Sequence, residues 1–158
     1  MKWYKSSCLG FVLIALLSGN AAYAGADWET DFANAKALAK EQGKFILLDF
    51  TGSDWCPPCI QLEKDIFQKA AFREYARNKL VLVTLDFPRG RKLDKAIVEQ
   101  NKALARKFAV PGFPTIVILN PCGEEVGRHI GYRPGGVQSY LEFLESVILS
   151  GVKSSDQG

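Results

Sequence analysis

Two stretches of the chain, "FILLDF" (45–50) and "LVLVTLDF" (80–87), are apolar almost without alternation. A strand with one face in water alternates apolar and polar residues, so an unbroken run marks a strand covered on both faces. Two such strands require helices on either side, and the intervening sequence supplies them. Asp27 to Gln42 places Trp28, Phe32, Ala35 and Ala39 on one helical face, with Gly43 as its terminator. A second helix is predicted to start near Cys56 and run through Leu62 and Ile66, followed by a short helical piece over 70–77. Leu93, Ile97, Leu104 and Phe108 mark one side of a third long helix. Beyond it, "TIVIL" (115–119), the turn "NPCG" (120–123) and "EVGRHI" (125–130) form a hairpin. Val137, Tyr140, Leu141, Leu144, Val147 and Ile148 keep helical spacing for a closing helix. The expected class is α/β: a mixed central sheet, built from a βαβ half plus a β-hairpin, with helices on both faces.

The amino terminus has a different character. Lys2 and Lys5 precede an apolar run from Leu9 to Leu17, and Ala22-Tyr23-Ala24 follows. A basic start, a short apolar stretch and small residues are the layout of a secretory signal, with cleavage expected after Ala24. The competing reading is a membrane anchor, but a run interrupted by Gly10 falls well short of the roughly 20 residues that span a bilayer. Cys8 lies ahead of that run, where a lipid-attachment cysteine is not expected. The chain therefore divides into a signal (1–24), one domain (25–150) and a polar, Gly/Ser-rich tail (151–158) expected to fray. Loss of Lys2 and Lys5 brings the formal charge of +3 close to neutrality, which gives no indication of a nucleic-acid partner.

Cleavage leaves Cys56, Cys59 and Cys122, an odd number for an oxidising compartment. A disulfide-stapled scaffold would carry more cysteines, in even number, so the pair Cys56-Pro-Pro-Cys59 points to chemistry. Proline forces its predecessor out of the helical region, which puts Cys56 at a helix N-cap. The positive end of that helix then favours thiolate over thiol at Cys56. Cys59 is one turn in, at the i+3 spacing that sets its sulfur beside the first. Pro57 and Pro58 carry no amide hydrogens, leaving the Cys59 amide as the nearest donor for the Cys56 sulfur. This arrangement suits a pair that switches between dithiol and disulfide.

Three other uses of the pair are weaker. A zinc site needs four ligands, and only Cys122 and His129 could complete one. Cys122 sits at a hairpin tip eight residues beyond Pro114, more than about 20 Å away at ~3.3 Å per strand residue. Covalent haem needs histidine after the second cysteine, and position 60 is Ile. An inert disulfide in a binding module remains open, although so short a loop constrains the unfolded chain little.

The strand "LLDF" leading to "WCPPC" at a helix start, followed by "VPGFPT" entering a hairpin, resembles the thioredoxin superfamily over Trp28 to Leu149. The fuller stretch "DFTGSDWCPPCIQLEKDIF" is similar to exported thioredoxin-like disulfide reductases, the group that includes the C-terminal domain of DsbD. The resemblance implies a thioredoxin fold, with Cys56 as the attacking cysteine and Cys59 as the resolving one. Trp55 matches the tryptophan that covers the site. Pro114 matches a proline whose bond, here Phe113-Pro114, is cis and faces the disulfide, where the segment holds substrate backbone. Gly131 resembles a glycine lining the same groove. Asp49 resembles the buried acid that relays a proton to the resolving cysteine, although "DFTGSDWC" is one residue longer than the usual spacing between acid and cysteine.

The function so implied is that of an exported, periplasmic or secreted, monomeric thiol-disulfide oxidoreductase, a reductase of disulfide-containing proteins through the Cys56-Pro-Pro-Cys59 pair. Its electrons would be carried by the cysteines, with no cofactor and no metal, and replenished by a DsbD-like membrane donor. The alternatives are an oxidase that donates its disulfide and a binding module with an inert one. Oxidases of the DsbA type place histidine before the second cysteine, where this chain has Pro58, as thioredoxin does. Related isomerases add a dimerisation domain, which is not expected here. Arg89, Arg91 and Lys92 follow the second buried strand and should therefore sit on the same edge as the pair, suited to an acidic partner.

Overall fold

The computed structural model describes residues 28–155. The expected signal and Cys8 lie outside them. The elements run β1 (Trp28–Glu29), α1 (Phe32–Gln42), β2 (Phe45–Thr51), α2 (Pro57–Leu62) and a π-helical segment (Glu63–Phe67). They continue with α3 (Ala70–Lys79), β3 (Leu80–Asp86), α4 (Lys95–Lys107), β4 (Thr115–Leu119), β5 (Glu125–Ile130) and α5 (Gly136–Ser155). The sheet has the order β1-β3-β2-β4-β5. β1, β3 and β2 are parallel, while β4 is antiparallel to both β2 and β5. This is the thioredoxin fold.

Alternate residues of the buried strands enter two separate cores. Phe45, Leu47, Leu82, Ile116 and Ile118 pack against Leu62 and Ile66, against Phe72 of α3, and against Tyr140, Leu144 and Ile148 of α5. Ile46, Leu48, Phe50, Val83 and Val117 pack on the other side against Ala35 and Ala39 of α1 and Leu104 and Phe108 near α4. Burial of every residue of β2 follows from this sandwich, as does the lack of alternation in its sequence.

Three boundaries differ from the sequence reading. The first helix starts at Phe32, because Asp31 takes extended backbone and its carboxylate accepts the Asn34 amide at 3.0 Å, an N-cap. Trp28 consequently belongs to β1, paired with Leu82, and reaches the core from there with its ring 5.0 Å from that of Phe67. The helix after the cysteines changes register: the Gln68 amide reaches back to the Glu63 carbonyl, and the wide turn keeps Leu62, Ile66 and Phe67 all buried. At the far end, α5 continues to Ser155, into the segment expected to fray, whose last residues, 156–158, lie outside the described residues. Gly151 is buried, and a methyl group there would lie 3.0 Å from a Val126 methyl, so this glycine allows close packing rather than ending the helix.

Candidate active site

The carboxyl ends of β2 and β3 build the site. After Thr51, a tight turn folds the chain back, and the amides of Trp55 and Cys56 both donate to the Gly52 carbonyl. The turn requires glycine, since a Cβ at position 52 would lie 2.6 Å from the Trp55 ring. Cys56 then occupies the N-cap of α2 in extended backbone, with Pro57 and Pro58 opening the helix. Cys56 and Cys59 form a disulfide, with α-carbons 5.3 Å apart, and each is 4% exposed. The Cys59 amide donates to the Cys56 carbonyl at 3.0 Å. In this oxidised state the donor assigned from sequence to the Cys56 sulfur is therefore committed to backbone.

An aromatic wall stands beside the pair. The Trp55 indole N–H donates to the Phe87 carbonyl at 2.8 Å, and its ring meets Phe113 edge-on at 6.1 Å. Phe113 stacks on Phe87 at 4.9 Å. The Phe113-Pro114 bond is cis, Pro114 is buried, and its carbonyl accepts the Gly131 amide at 2.8 Å. Thr115 Oγ1 donates to the Gly112 carbonyl and holds the same loop from the other side. Trp55, Phe113, Pro114 and Gly131 thus form one bonded cluster.

Asp49 lies behind the disulfide. It lines a cavity of about 270 Å³ together with Cys59, Glu63, Trp28 and Thr84. The turn at Gly52 separates Asp49 from Cys56 in the chain, and Asp49 and Cys59 share this space. Burial pushes the Asp49 carboxyl up to about 8, with further contributions from the negative charges of Glu63 and Asp86. Its Oδ1 finds no hydrogen-bond partner among the described residues. A carboxyl held neutral near physiological pH beside a cysteine can exchange a proton with it.

Sequence reasoning missed four contributors. Glu63 lies four residues beyond Cys59, a helical spacing that could have revealed it. Asp86 is a structural hub. Its carboxylate accepts the Ser53 amide at 3.0 Å, the Ser53 hydroxyl at 2.7 Å and the Arg91 guanidinium at 2.6 Å. Asp54 caps the following loop by accepting the amides of Arg89 and Gly90, which lowers its own pKa. Phe87 ties Trp55 to Phe113. The basic loop is largely absorbed into this structure, because Arg91 pairs with Asp86 and the Arg89 guanidinium stacks on Trp55 at 3.8 Å. Cys122 is exposed and carries a free thiol in a turn held by the Asn120 side chain.

Fold and site together define a thioredoxin-fold protein with a buried redox pair separated by two prolines. A family model described as a thioredoxin-like domain matches residues 32–145, and the chain belongs to that family. It is 34% identical over 127 residues to the disulfide bond reductase DsbH of Chlamydia pneumoniae, covering 80% of this chain and 75% of that protein. It is also 34% identical over 90 residues to the thiol:disulfide interchange protein DsbD 2 of Pseudomonas aeruginosa, covering 56% of this chain and 14% of that protein. A solved DsbH oxidoreductase superposes with a TM-score of 0.73 at 34% identity, covering 78% of this chain and 85% of that one. A thioredoxin from Thermus thermophilus gives 0.54 at 27% identity, covering 77% and 85%. The chain is a thiol-disulfide oxidoreductase of the Dsb type.

Proposed function

We propose that the protein is an exported reductase of protein disulfides. The observation that carries this reading is the buried Cys56–Cys59 pair with an unpartnered, high-pKa acid lining the cavity of Cys59. In the reduced protein the Cys56 thiolate attacks one sulfur of a substrate disulfide, and the other substrate sulfur leaves as a thiolate. Cys59 then passes its proton to ionised Asp49 and attacks the Cys56 sulfur. The mixed disulfide breaks, the second substrate sulfur also leaves as a thiolate, the two thiolates take protons from Asp49 and solvent, and Cys56–Cys59 remains oxidised. The substrate has gained two electrons and the protein has lost them. A carboxyl near 8 gains and loses its proton close to neutral pH, so it can take up the Cys59 proton and release it again. The Phe113-Pro114 segment would hold substrate backbone alongside the pair, with Trp55 and Gly131 flanking it.

The direction of flow rests on Pro58 in place of the histidine of strong oxidases, and on the likeness to a protein named a disulfide bond reductase. Prolines at 57 and 58 withhold amide donors that would stabilise a Cys56 thiolate, which makes the couple more reducing. Export rests on residues 1–24. A DsbD-like membrane donor would return the electrons, and the domain would work as a monomer. Insulin reduction in dithiothreitol should be accelerated by the wild type and fall back to the uncatalysed rate with Cys56→Ser. Equilibration with glutathione should place the midpoint nearer thioredoxin's, roughly −270 mV, than DsbA's, roughly −120 mV. A midpoint above about −180 mV would overturn the reductase direction.

A further inference from the structure

A cleft of about 370 Å³ opens on the side of the aromatic wall formed by Phe87. Phe87, Leu93 and Val98 supply its apolar surface, and Arg91, Lys92 and Lys102 bring positive charge to it. The one acid in its lining is Asp86, whose carboxylate is already engaged by Ser53 and Arg91. Lys92 has no ion-pair partner among the described residues. Lys102 makes only an exposed pair with Glu99 at 3.3 Å, an interaction weak enough to yield to a better one. Arg91 contacts Asp86 through Nη2 alone, leaving other guanidinium donors unused. The cleft is therefore apolar within and has spare cationic donors.

We propose that this cleft is a specificity subsite for the substrate polypeptide, taking a carboxylate side chain beside an apolar one. The inference rests on the oxidoreductase reading and adds the chemistry of the segment flanking the attacked cysteine. Phe87 carries the geometric argument. Its carbonyl holds the Trp55 indole and its ring stacks on Phe113, so cleft and disulfide lie along one continuous wall. Along the wall the ring of Phe113 lies 6.1 Å from Trp55 and 4.9 Å from Phe87, so at about 3.3 Å per extended residue a side chain about three residues from its cysteine reaches the cleft. The apolar side chain covers Leu93 and Val98. The carboxylate meets Lys92 and Lys102, where partial desolvation strengthens a charge-assisted hydrogen bond. The site also connects to the redox pair, since Asp86 holds Ser53, close before Cys56 in the chain.

The test uses two synthetic peptide disulfides that differ only in Glu or Gln about three residues from the cysteine, each followed by leucine. Exchange with the full domain is followed by stopped-flow tryptophan fluorescence in both directions, so the outcome does not depend on which way electrons flow in the cell. The wild type should exchange with the Glu peptide about fivefold faster than with the Gln peptide, the order of one partly exposed charge-assisted contact. In the Lys92→Glu/Lys102→Glu protein the preference should vanish or invert, and Val98→Trp, which fills the cleft, should slow both peptides. Equal rates for the two peptides with the wild type, or a preference that survives the charge reversal, overturns the proposal. A Glu peptide with serine in place of cysteine separates the two readings. Shifts of the Leu93 and Val98 methyl resonances without any exchange by its cysteine counterpart support the cleft and overturn the oxidoreductase reading. Exchange without shifts at those methyls overturns the cleft and leaves the oxidoreductase reading intact.

Discussion

Asp49 and Asp86 sit on neighbouring parallel strands and are almost equally buried, at 7% and 5% exposure, yet their surroundings are opposite. Asp86 is met by a backbone amide, a hydroxyl and a guanidinium. Asp49 has an orphaned oxygen, and the charges that act on it are those of the acids Glu63 and Asp86. A satisfied buried carboxylate holds structure together, and here it fastens the start of the redox turn to the loop beyond β3. An unsatisfied one keeps its proton to a higher pH and is available for chemistry. The fold places one of each at the same end of the sheet, and the proposed function assigns positioning to Asp86 and proton transfer to Asp49.

Replacing each acid should expose this division, at Asp86 whatever the pH and at Asp49 through a dependence on pH. Asp86→Ala strands the buried donors of Ser53 and breaks the pair with Arg91, and should cost about 3 kcal/mol in urea denaturation of the oxidised protein. A loss below about 1 kcal/mol would mean that water replaces the carboxylate, and the hub would not be structural. Asp49→Asn should behave in the opposite sense and depend on pH. A carboxyl raised to about 8 in the folded state contributes stability that is present below its unfolded pKa, near 4, and lost as pH rises toward 8. The wild type should therefore lose about 1.4 kcal/mol per pH unit across that window relative to Asp49→Asn. Parallel stability curves from pH 5 to 8 would place Asp49 in a polar setting like that of its neighbour. The smallest effect belongs to Arg89, whose stack on Trp55 is exposed. Arg89→Ala should cost about 0.5–1 kcal/mol and blue-shift Trp55 emission little, while Arg89→Lys recovers only part of the loss.

The contrast between the acids also marks what the sequence makes legible. β2 and β3 are plain because burial on two faces removes alternation, and the cysteine pair because proline and spacing place it at a helix start. Asp49 is singled out by the resemblance and by its strand, although its spacing to Cys56 is one residue longer than usual. Asp86 is not, because its role depends on Ser53, 33 residues earlier, and on Arg91 folding back over the site. Glu63 escapes notice although it lies one turn from Cys59, since an exposed helical glutamate is ordinary until a cavity is seen beside it. The start of α1 is misplaced because apolar spacing continues through Trp28, whereas the Asp31 cap is a local hydrogen-bond event. The π-helical segment leaves no mark in apolar periodicity, which records faces rather than hydrogen-bond register.

The most direct test of the account follows a single turnover of the mixed disulfide on Cys56. Its resolution by Cys59 is measured from pH 6 to 9 in the wild type and in Asp49→Asn. If Asp49 receives the Cys59 proton, the wild-type rate rises with an inflection near 8, where the carboxyl ionises. Asp49→Asn should lose that inflection and run about 100-fold slower at pH 7, the lower end of general-base effects. Identical profiles for the two proteins would contradict the account and reduce Asp49 to a buried acid without a part in the chemistry.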